Sequence, residues 1–484
     1  MAMTADELEP HFARLGGDPV REAFPARRAV MPWRSRRPLP QEEIEATWAD
    51  LVRNRRPAGP DAARLAYFHV PFCANHCLFC GFYRNAYTPA AATAYTDLLI
   101  AEIEAEAAAP AMRAQVIDAV YLGGGTPSAL SAGELSRLIA AIRRTLPLAP
   151  GCEITIEGRI IHFDAEKVDA CLEAGANRIS IGVQSFDTAV RRRQGRRAGK
   201  EEAIAFIEAL RDRDKAAIVI DLLFGLPGQT EAVWREDLAI AAGIAPDGVD
   251  LYGLNLIPGT PLHRAAAAGK FPDAPTLADL GGFYRMGADF LGRRGWEQIS
   301  NSHWRRTPRE RNIYNLRIKE GVDCLAYGSG GGGNLGRVSY AVAPDLQTYA
   351  DGIRAGRKPI EGMRVADAWQ PLRNAVTSGI EKGRLDIRAV AASAPPEAGE
   401  GADVAGRLAP LLDQWRTAGL IELSGDVMAL TTAGRFWYSN LIFAFDSLLC
   451  PAAPPPSAGG PPSTGGLQDR PAFPSTQQKT RELS

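Results

Sequence analysis

The sequence predicts an α/β fold: a partial (βα)6 barrel followed by a mostly helical, winged-helix-like C-terminal domain. Three observations lead there. Between about residues 60 and 300, short apolar runs alternate with helix-like stretches, the pattern of repeated βα units around a parallel sheet. Glycines and polar residues gather just after the apolar runs, where barrel enzymes place their sites. Beyond residue 359 the pattern changes to amphipathic helices, a small hairpin and a final helix.

The elements follow in order. Residues 1–58 form an arm containing FPARRAVMPWRSRRPLP, where prolines predict sparse regular structure. The barrel, 59–300, has candidate strands LAYFHV (65–70), DAVYLGG (118–124), CEITIEG (152–158), RISIGV (178–183), AIVIDLLFG (217–225) and GVDLYGLN (248–255). Helical stretches such as SAGELSRLIAAIRRTL and KEEAIAFIEALRDR separate them. Residues 301–358 read as an Arg/Gly-rich connection to the substrate site. Residues 359–450 read as the helical domain, with WQPLRNAVTSGIEKG and VAGRLAPLLDQWRTAG as helices. Residues 451–484 are rich in Pro, Gly and Ser, the composition of a disordered tail.

The 484 residues carry a formal net charge of -1, which disfavours a nucleic-acid binder because backbone binding needs a positive field. No run approaches the roughly 18–20 apolar residues of a spanning helix, and LIFAFDSLL at 441–449 is broken by Asp446. The N-terminal residues show no signal-peptide pattern. A cytoplasmic protein without membrane insertion is expected.

Seven cysteines are present, and three of them, Cys73, Cys77 and Cys80, stand at C-x3-C-x2-C in YFHVPFCANHCLFCGFY. Core burial would not require such close spacing. A zinc site wants four ligands, and His76 directly precedes Cys77, which strains a shared tetrahedron. A redox dithiol would use Cys77 and Cys80 and leave Cys73 idle. Three soft thiolates suit an iron–sulfur cluster, holding three irons of a [4Fe–4S] cube and leaving the fourth open to a reactant.

CANHCLFC resembles the shared motif of the radical S-adenosylmethionine (SAM) enzymes. YFHVPFC, GGGTPS, NRISIGVQSF, DLLFGLPGQT and NLIPGTPL match, in order, the oxygen-independent coproporphyrinogen III oxidase-like branch, over about residues 60–450. The resemblance implies a radical SAM barrel with Cys73, Cys77 and Cys80 as ligands of a [4Fe–4S] cluster whose open iron chelates SAM. It implies that Tyr67 lies near the cluster. Gly123, Gly124, Gly125 and Thr126 would lie beside the amino-acid end of SAM, with Glu157, Gln184, Arg196 and Asp221 around the rest. The residues are chemically suited: glycines admit close approach, Gln184 offers a donor and an acceptor, and an arginine can pair with a carboxylate.

Within the branch, CGFY, the arm sequence MPWRSRRPLP and SHWRRTPRERNIYN (302–315) resemble the haem-utilisation subgroup, and EGRI (157–160) departs from the chaperone pattern. That subgroup opens haem anaerobically by methyl transfer, with SAM as radical source and methyl donor. The resemblance implies haem as substrate and a flavodoxin- or ferredoxin-like electron donor. Arg305, Arg306, Arg309 and Arg311 are candidates to meet the haem propionates, with help from the arm arginines. His303 is a candidate iron ligand or proton donor, and Tyr314 and Tyr327 are candidates to stack or to donate hydrogen. The alternatives are coproporphyrinogen decarboxylation and a haem chaperone.

Overall fold

The computed structural model describes residues 3–28, 35–55, 59, 62–81, 85–271, 275–398 and 404–450. The expected tail, part of the arm with Trp33 and Arg34, and Tyr83 of CGFY lie outside the described residues.

Six strands run parallel in chain order: β1 (Arg64–Val70), β2 (Ile117–Gly124), β3 (Leu148–Gly158), β4 (Arg178–Gln184), β5 (Ala217–Phe224) and β6 (Gly248–Gly253). These are the six expected strands. β7 (His303–Arg305) pairs antiparallel with β6, and β8 (Asp323–Tyr327) adds a seventh parallel strand outside β1. Beyond β8 the sheet continues through antiparallel β9 (Gly332–Leu335), β10 (Val338–Val342) and β11 (Ile360–Val365). Among the described residues the two ends of this sheet do not pair with each other, so the barrel is partial.

The strands form where the chain is apolar and β-branched. Ile154, Ile156, Ile179, Ile181, Val219 and Ile220 are buried. Each such side chain removed from water stabilises the fold by about 1.5–3 kcal/mol.

Helix α1 (Gln41–Asn54) lies in the arm. Helices α2 (Pro89–Ala107), α3 (Ala132–Thr145), α4 (Ala165–Ala174), α5 (Lys200–Asp212), α6 (Glu231–Ile244) and α7 (Leu277–Gly292) belong to the barrel. Their starts are encoded locally. At α3 the Ser131 hydroxyl accepts from the Glu134 N–H, and the Glu134 carboxylate accepts from the Ser131 N–H. Asp164 and Thr230 cap α4 and α6 in the same position.

The arm is more ordered than its prolines predicted. Between Pro40 and Pro57 the arm has no proline, and residues 41–54 contain neither proline nor glycine, so a helix can form there. Trp48 of α1 packs on Tyr340 at 4.8 Å.

The 301–358 stretch holds regular structure: β7, α8 (Ile313–Ile318), β8, β9, β10 and a helix over Leu346–Arg354. After it come α9 (Gln370–Glu381), α10 (Val404–Thr417) and α11 (Tyr438–Leu449), with a small antiparallel sheet of β12 (Arg384–Asp386), β13 (Ile421–Ser424) and β14 (Val427–Leu430). This is the expected helical, winged-helix-like order. It docks on the barrel where the Asn301 side-chain amide donates to Ile380 O at 3.0 Å and Phe436 packs on Tyr284 at 5.7 Å.

A buried charge string holds the barrel interior. Arg178, the first residue of β4, donates from Nε and Nη2 to Glu310 at 3.0–3.1 Å. The His303 ring nitrogens lie 2.8 Å from Asp250 and 3.2 Å from Glu310, as ion pairs rather than aligned hydrogen bonds. Burial alone would depress the His303 pKa, but the two carboxylates outweigh it and raise it to about 9. The fold therefore holds this proton more tightly than the unfolded chain, whose reference value is 6.5. The stabilisation is complete below that value and is lost as pH rises through about 9. We expect the urea midpoint of the wild type to fall between pH 6.5 and 9. The His303→Gln variant should be less stable at pH 6.5 and show a smaller fall; equal declines would remove His303 as the cause.

Candidate active site at the strand C-terminal face

The loop bearing Cys73, Cys77 and Cys80 leaves the C-terminal end of β1. A turn from Cys77 O to Cys80 N at 3.1 Å closes its tip, and none of the three cysteines is in a disulfide. Loops after four other strands hold it. Thr126 Oγ1, after β2, lies 3.2 Å from Cys73 Sγ. Arg159, after β3, donates to Asn75 O at 3.0 Å. After β4, Gly195 O accepts from Asn75 Nδ2 at 2.6 Å and Gln194 O from Leu78 N at 3.3 Å. After β6, Leu262 N donates to Leu78 O at 2.9 Å.

The glycines of GGGTPS set how closely β2 meets this loop. A Cβ on Gly125 would fall 2.6 Å from Phe72 O and 2.7 Å from Val70 O, and one on Gly124, at φ +104°, would meet the His69 ring at 2.5 Å. Gly123 faces the Glu157 carboxylate. The space beside Gly124 and Gly125 is thus filled by protein.

Glu157 accepts from Tyr121 Oη at 2.7 Å, and burial raises its pKa. Tyr67 donates to or accepts from His69 Nδ1 at 3.1 Å, and burial moves its phenol upward. Gln184 ends β4 with φ +73°, a strained value for a residue with a side chain. Arg196 bonds Gly182 O, packs 5.8 Å from the Phe79 ring, and keeps a buried Nε without a partner; burial lowers its pKa. Asp221 sits on β5 with its pKa held well above the carboxylate range, by burial first and then by Asp250 and Glu157.

Two cavities open here. The smaller, about 490 Å³, is lined by Cys80, Gln184, Asp221, Asp250 and Tyr252. The larger, about 1190 Å³, lies among Tyr314, Gly332, Gly333, β11, α9, α11 and the arm. Arg27, Asn255, Ile257, Lys319 and Tyr438 line both, so the two adjoin.

The expected substrate residues divide. Tyr314 is at the site: it lines the larger cavity and packs 4.7 Å from Tyr121 and 6.2 Å from Tyr67. Arg305 is not. It pairs with Glu297 at 2.7 Å and lies opposite Gly248, the first residue of β6. Arg306 and Arg311 donate to Pro246 O and Gly151 O at 2.9 and 3.0 Å, and Arg309 pairs with Asp214. All four arginines therefore occupy the strand-start face, opposite the cysteine loop, and cannot meet a ligand in the mouth. His303 has no exposed surface and both its nitrogens face carboxylates, which leaves none for iron or for a ring carbon. Tyr327 is buried, stacked on Phe68 at 4.8 Å with Lys358 4.5 Å from its ring, away from both cavities.

Sequence reasoning missed Arg159, Tyr121 and Asp250. The departure at EGRI was the available signal for Arg159. The others depend on pairing across strands.

The residues fit a [4Fe–4S] cluster. Among the described residues no three His, Cys, Asp or Glu side chains converge on one ion. A cube does not ask for that, because each thiolate takes a different iron. Burial raises the Cys73 pKa, while Thr126 and the Arg159 cation oppose it and favour the thiolate. The orphaned Arg196 Nε and the buried carboxylates nearby suit a zwitterionic ligand such as SAM.

After anaerobic reconstitution with iron and sulfide, we expect Cys77→Ala to lose the cluster absorbance; a surviving cluster would refute the ligand assignment. Gln184→Gly relieves the positive φ, so its unfolding midpoint should hold or rise. Its SAM cleavage should fall at least about tenfold, as loss of one good polar contact implies.

Residues 67–240 match the radical SAM superfamily. The chain is 47% identical over 444 residues to an anaerobilin synthase of Escherichia coli O157:H7, covering 92% of this chain and 96% of that protein. It is 29% identical over 408 residues to an oxygen-independent coproporphyrinogen III oxidase of Bradyrhizobium diazoefficiens, covering 82% and 89%. The solved coproporphyrinogen III oxidase (HemN) of Escherichia coli, itself described as a radical SAM enzyme, shares the fold with a TM-score of 0.70. That likeness is at 24% identity over 83% of this chain and 93% of that one. The chain belongs to the radical SAM enzymes, in one family with anaerobilin synthase.

Proposed function

We propose that this enzyme opens the porphyrin ring of haem without oxygen, by methyl transfer from SAM, and releases the iron. The observation that carries the reading is the 47% identity with an anaerobilin synthase along nearly the whole of both chains. The 1190 Å³ cavity, which adjoins the smaller cavity lined by Cys80, supports it, since it exceeds the roughly 300–1,000 Å³ of ordinary small-ligand pockets.

In this reading Cys73, Cys77 and Cys80 hold the cluster, and Tyr67, Glu157, Gln184, Arg196 and Asp221 surround SAM. Bound there, the cluster and SAM supply the radical and the methyl group. The protein's own work is to position and to exclude water. Tyr121 fixes the Glu157 carboxylate, Arg159 and Thr126 fix the cysteine loop, and Tyr314 walls the larger cavity on the side of Tyr121 and Tyr67. Because the cluster must be reduced, the proposal includes a flavodoxin- or ferredoxin-like donor. We place the reaction in the cytoplasm, and among the described residues no helix is long and apolar enough to cross a membrane.

A second reading, decarboxylation of coproporphyrinogen, draws on the 29% identity with the oxidase. The test separates the two. Reconstituted enzyme is given haem, a reductant and methyl-labelled SAM without oxygen, and products are followed by mass spectrometry. A labelled, iron-free linear tetrapyrrole is expected. Intact haem together with CO2 release from coproporphyrinogen would establish the second reading instead.

A further inference from the structure

With the Arg305–Arg311 group on the opposite face, the larger cavity needs another source of positive charge. Six cations line it: Arg27, Arg28, Arg36, Lys319, Arg364 and Arg373. Two are already matched. Arg373 pairs with Asp367 and Asp446 at 2.6 and 2.7 Å, and Lys319 with Glu381 at 3.1 Å. The other four form no ion pair among the described residues, and of these Arg27 and Arg36 each have a buried Nε with no hydrogen-bond partner. Glu361 also lines the cavity but pairs with neither.

Both arginines are held by anchored backbone. Asn440 of α11 accepts from Arg28 N at 3.1 Å and donates to Ala26 O at 3.0 Å, which fixes the segment carrying Arg27. The Arg27 guanidinium lies 5.2 Å from the Phe436 ring and 5.7 Å from Tyr438. It reaches to 3.7 Å from the point where a Cβ on Gly253 would stand, at the C-terminal end of β6. Arg36 precedes the arm strand Arg37–Pro38, which pairs with Val365 and Arg364 of β11, and Leu39 N donates to Met363 O at 2.9 Å. Burial lowers the Arg36 pKa, and no neighbouring carboxylate opposes it. A partly buried guanidinium whose Nε has lost water and gained no partner is left under-satisfied, and a bound anion supplies the missing acceptor.

The geometry points to Arg27 and Arg36 as the carboxylate-binding groups of the larger cavity, which receive the propionates of a porphyrin-type ligand. The inference rests on the tetrapyrrole reading above. The guanidinium fork matches a carboxylate bidentately, and Leu39, Ile44, Leu372 and Ile442 supply an apolar wall for a flat ring. The arm thereby becomes part of the binding site, with one arginine fixed at α11 and the other at β11.

The test is equilibrium binding to the reconstituted full chain, anaerobic and without reductant. Haem, haem dimethyl ester and coproporphyrin with its tetramethyl ester are the probes. The wild type should bind haem about tenfold to a hundredfold more tightly than its diester, the range expected for charge-assisted hydrogen bonds. Arg27→Gln and Arg36→Gln should each lose most of that preference, and Arg36→Lys should regain part of it. Cluster absorbance reports that each variant is folded. A wild type that binds acid and ester alike, or variants that keep the full preference, would overturn the assignment even if haem is degraded. Preference for coproporphyrin over its ester, lost in the variants while haem does not bind, would uphold the arginines and overturn the haem reading.

Discussion

The ion pair between Arg178 and Glu310 is the contact on which the barrel's interior depends. Neither residue has appreciable exposed surface. A buried pair is not strongly stabilising against an apolar replacement, but removing one partner costs about 3–5 kcal/mol because the other charge stays buried. Here the pair also carries direction. Arg178 opens β4, and Glu310 comes from the segment after β7, so their meeting pulls that segment across the strand starts. Arg306, Arg309 and Arg311 then bond the loops before β6 and β5 and the start of β3. That face is bound by arginine to backbone, which leaves the other face for ligands.

At that other face one short loop collects the output of several strands. The cysteine loop has little secondary structure of its own, and loops after β2, β3, β4 and β6 supply its hydrogen bonds. The ordered motifs of the sequence thus share a physical reason: each lies in or beside a strand-end segment that builds the same site. The cost falls on the backbone, with Gln184 at positive φ and Gly125 pressed against Phe72 and Val70. Strain of this kind persists where surrounding contacts over-determine it.

The arm and the C-terminal helices complete what an open barrel lacks. β11 takes the arm strand and α11 takes the segment at Ala26–Arg28. The larger cavity is enclosed between them and the strand ends. Its charge and its apolar wall come from parts of the chain hundreds of residues apart.

Much of this was legible before any coordinates. The six parallel strands follow from short apolar runs and the helices from the stretches between them, because both depend on near neighbours in the chain. The cysteine spacing is local chemistry for the same reason. The direction of a chain after a strand is not local. Arg305, Arg306, Arg309 and Arg311 looked like substrate groups because arginine suits propionates and their segment resembles the haem-utilisation subgroup, yet β7 runs antiparallel to β6 and leads them to the strand starts. His303 looked like a candidate iron ligand or proton donor, but Asp250 across the strand pair and Glu310 hold it. The sequence by itself determined the barrel and the cysteine loop, since periodicity and spacing encode them within a few residues, and its ordered motifs carried the resemblance to the family. The tertiary structure alone decided which charges face the ligand, because that depends on strand direction and on pairings that close only when distant segments pack.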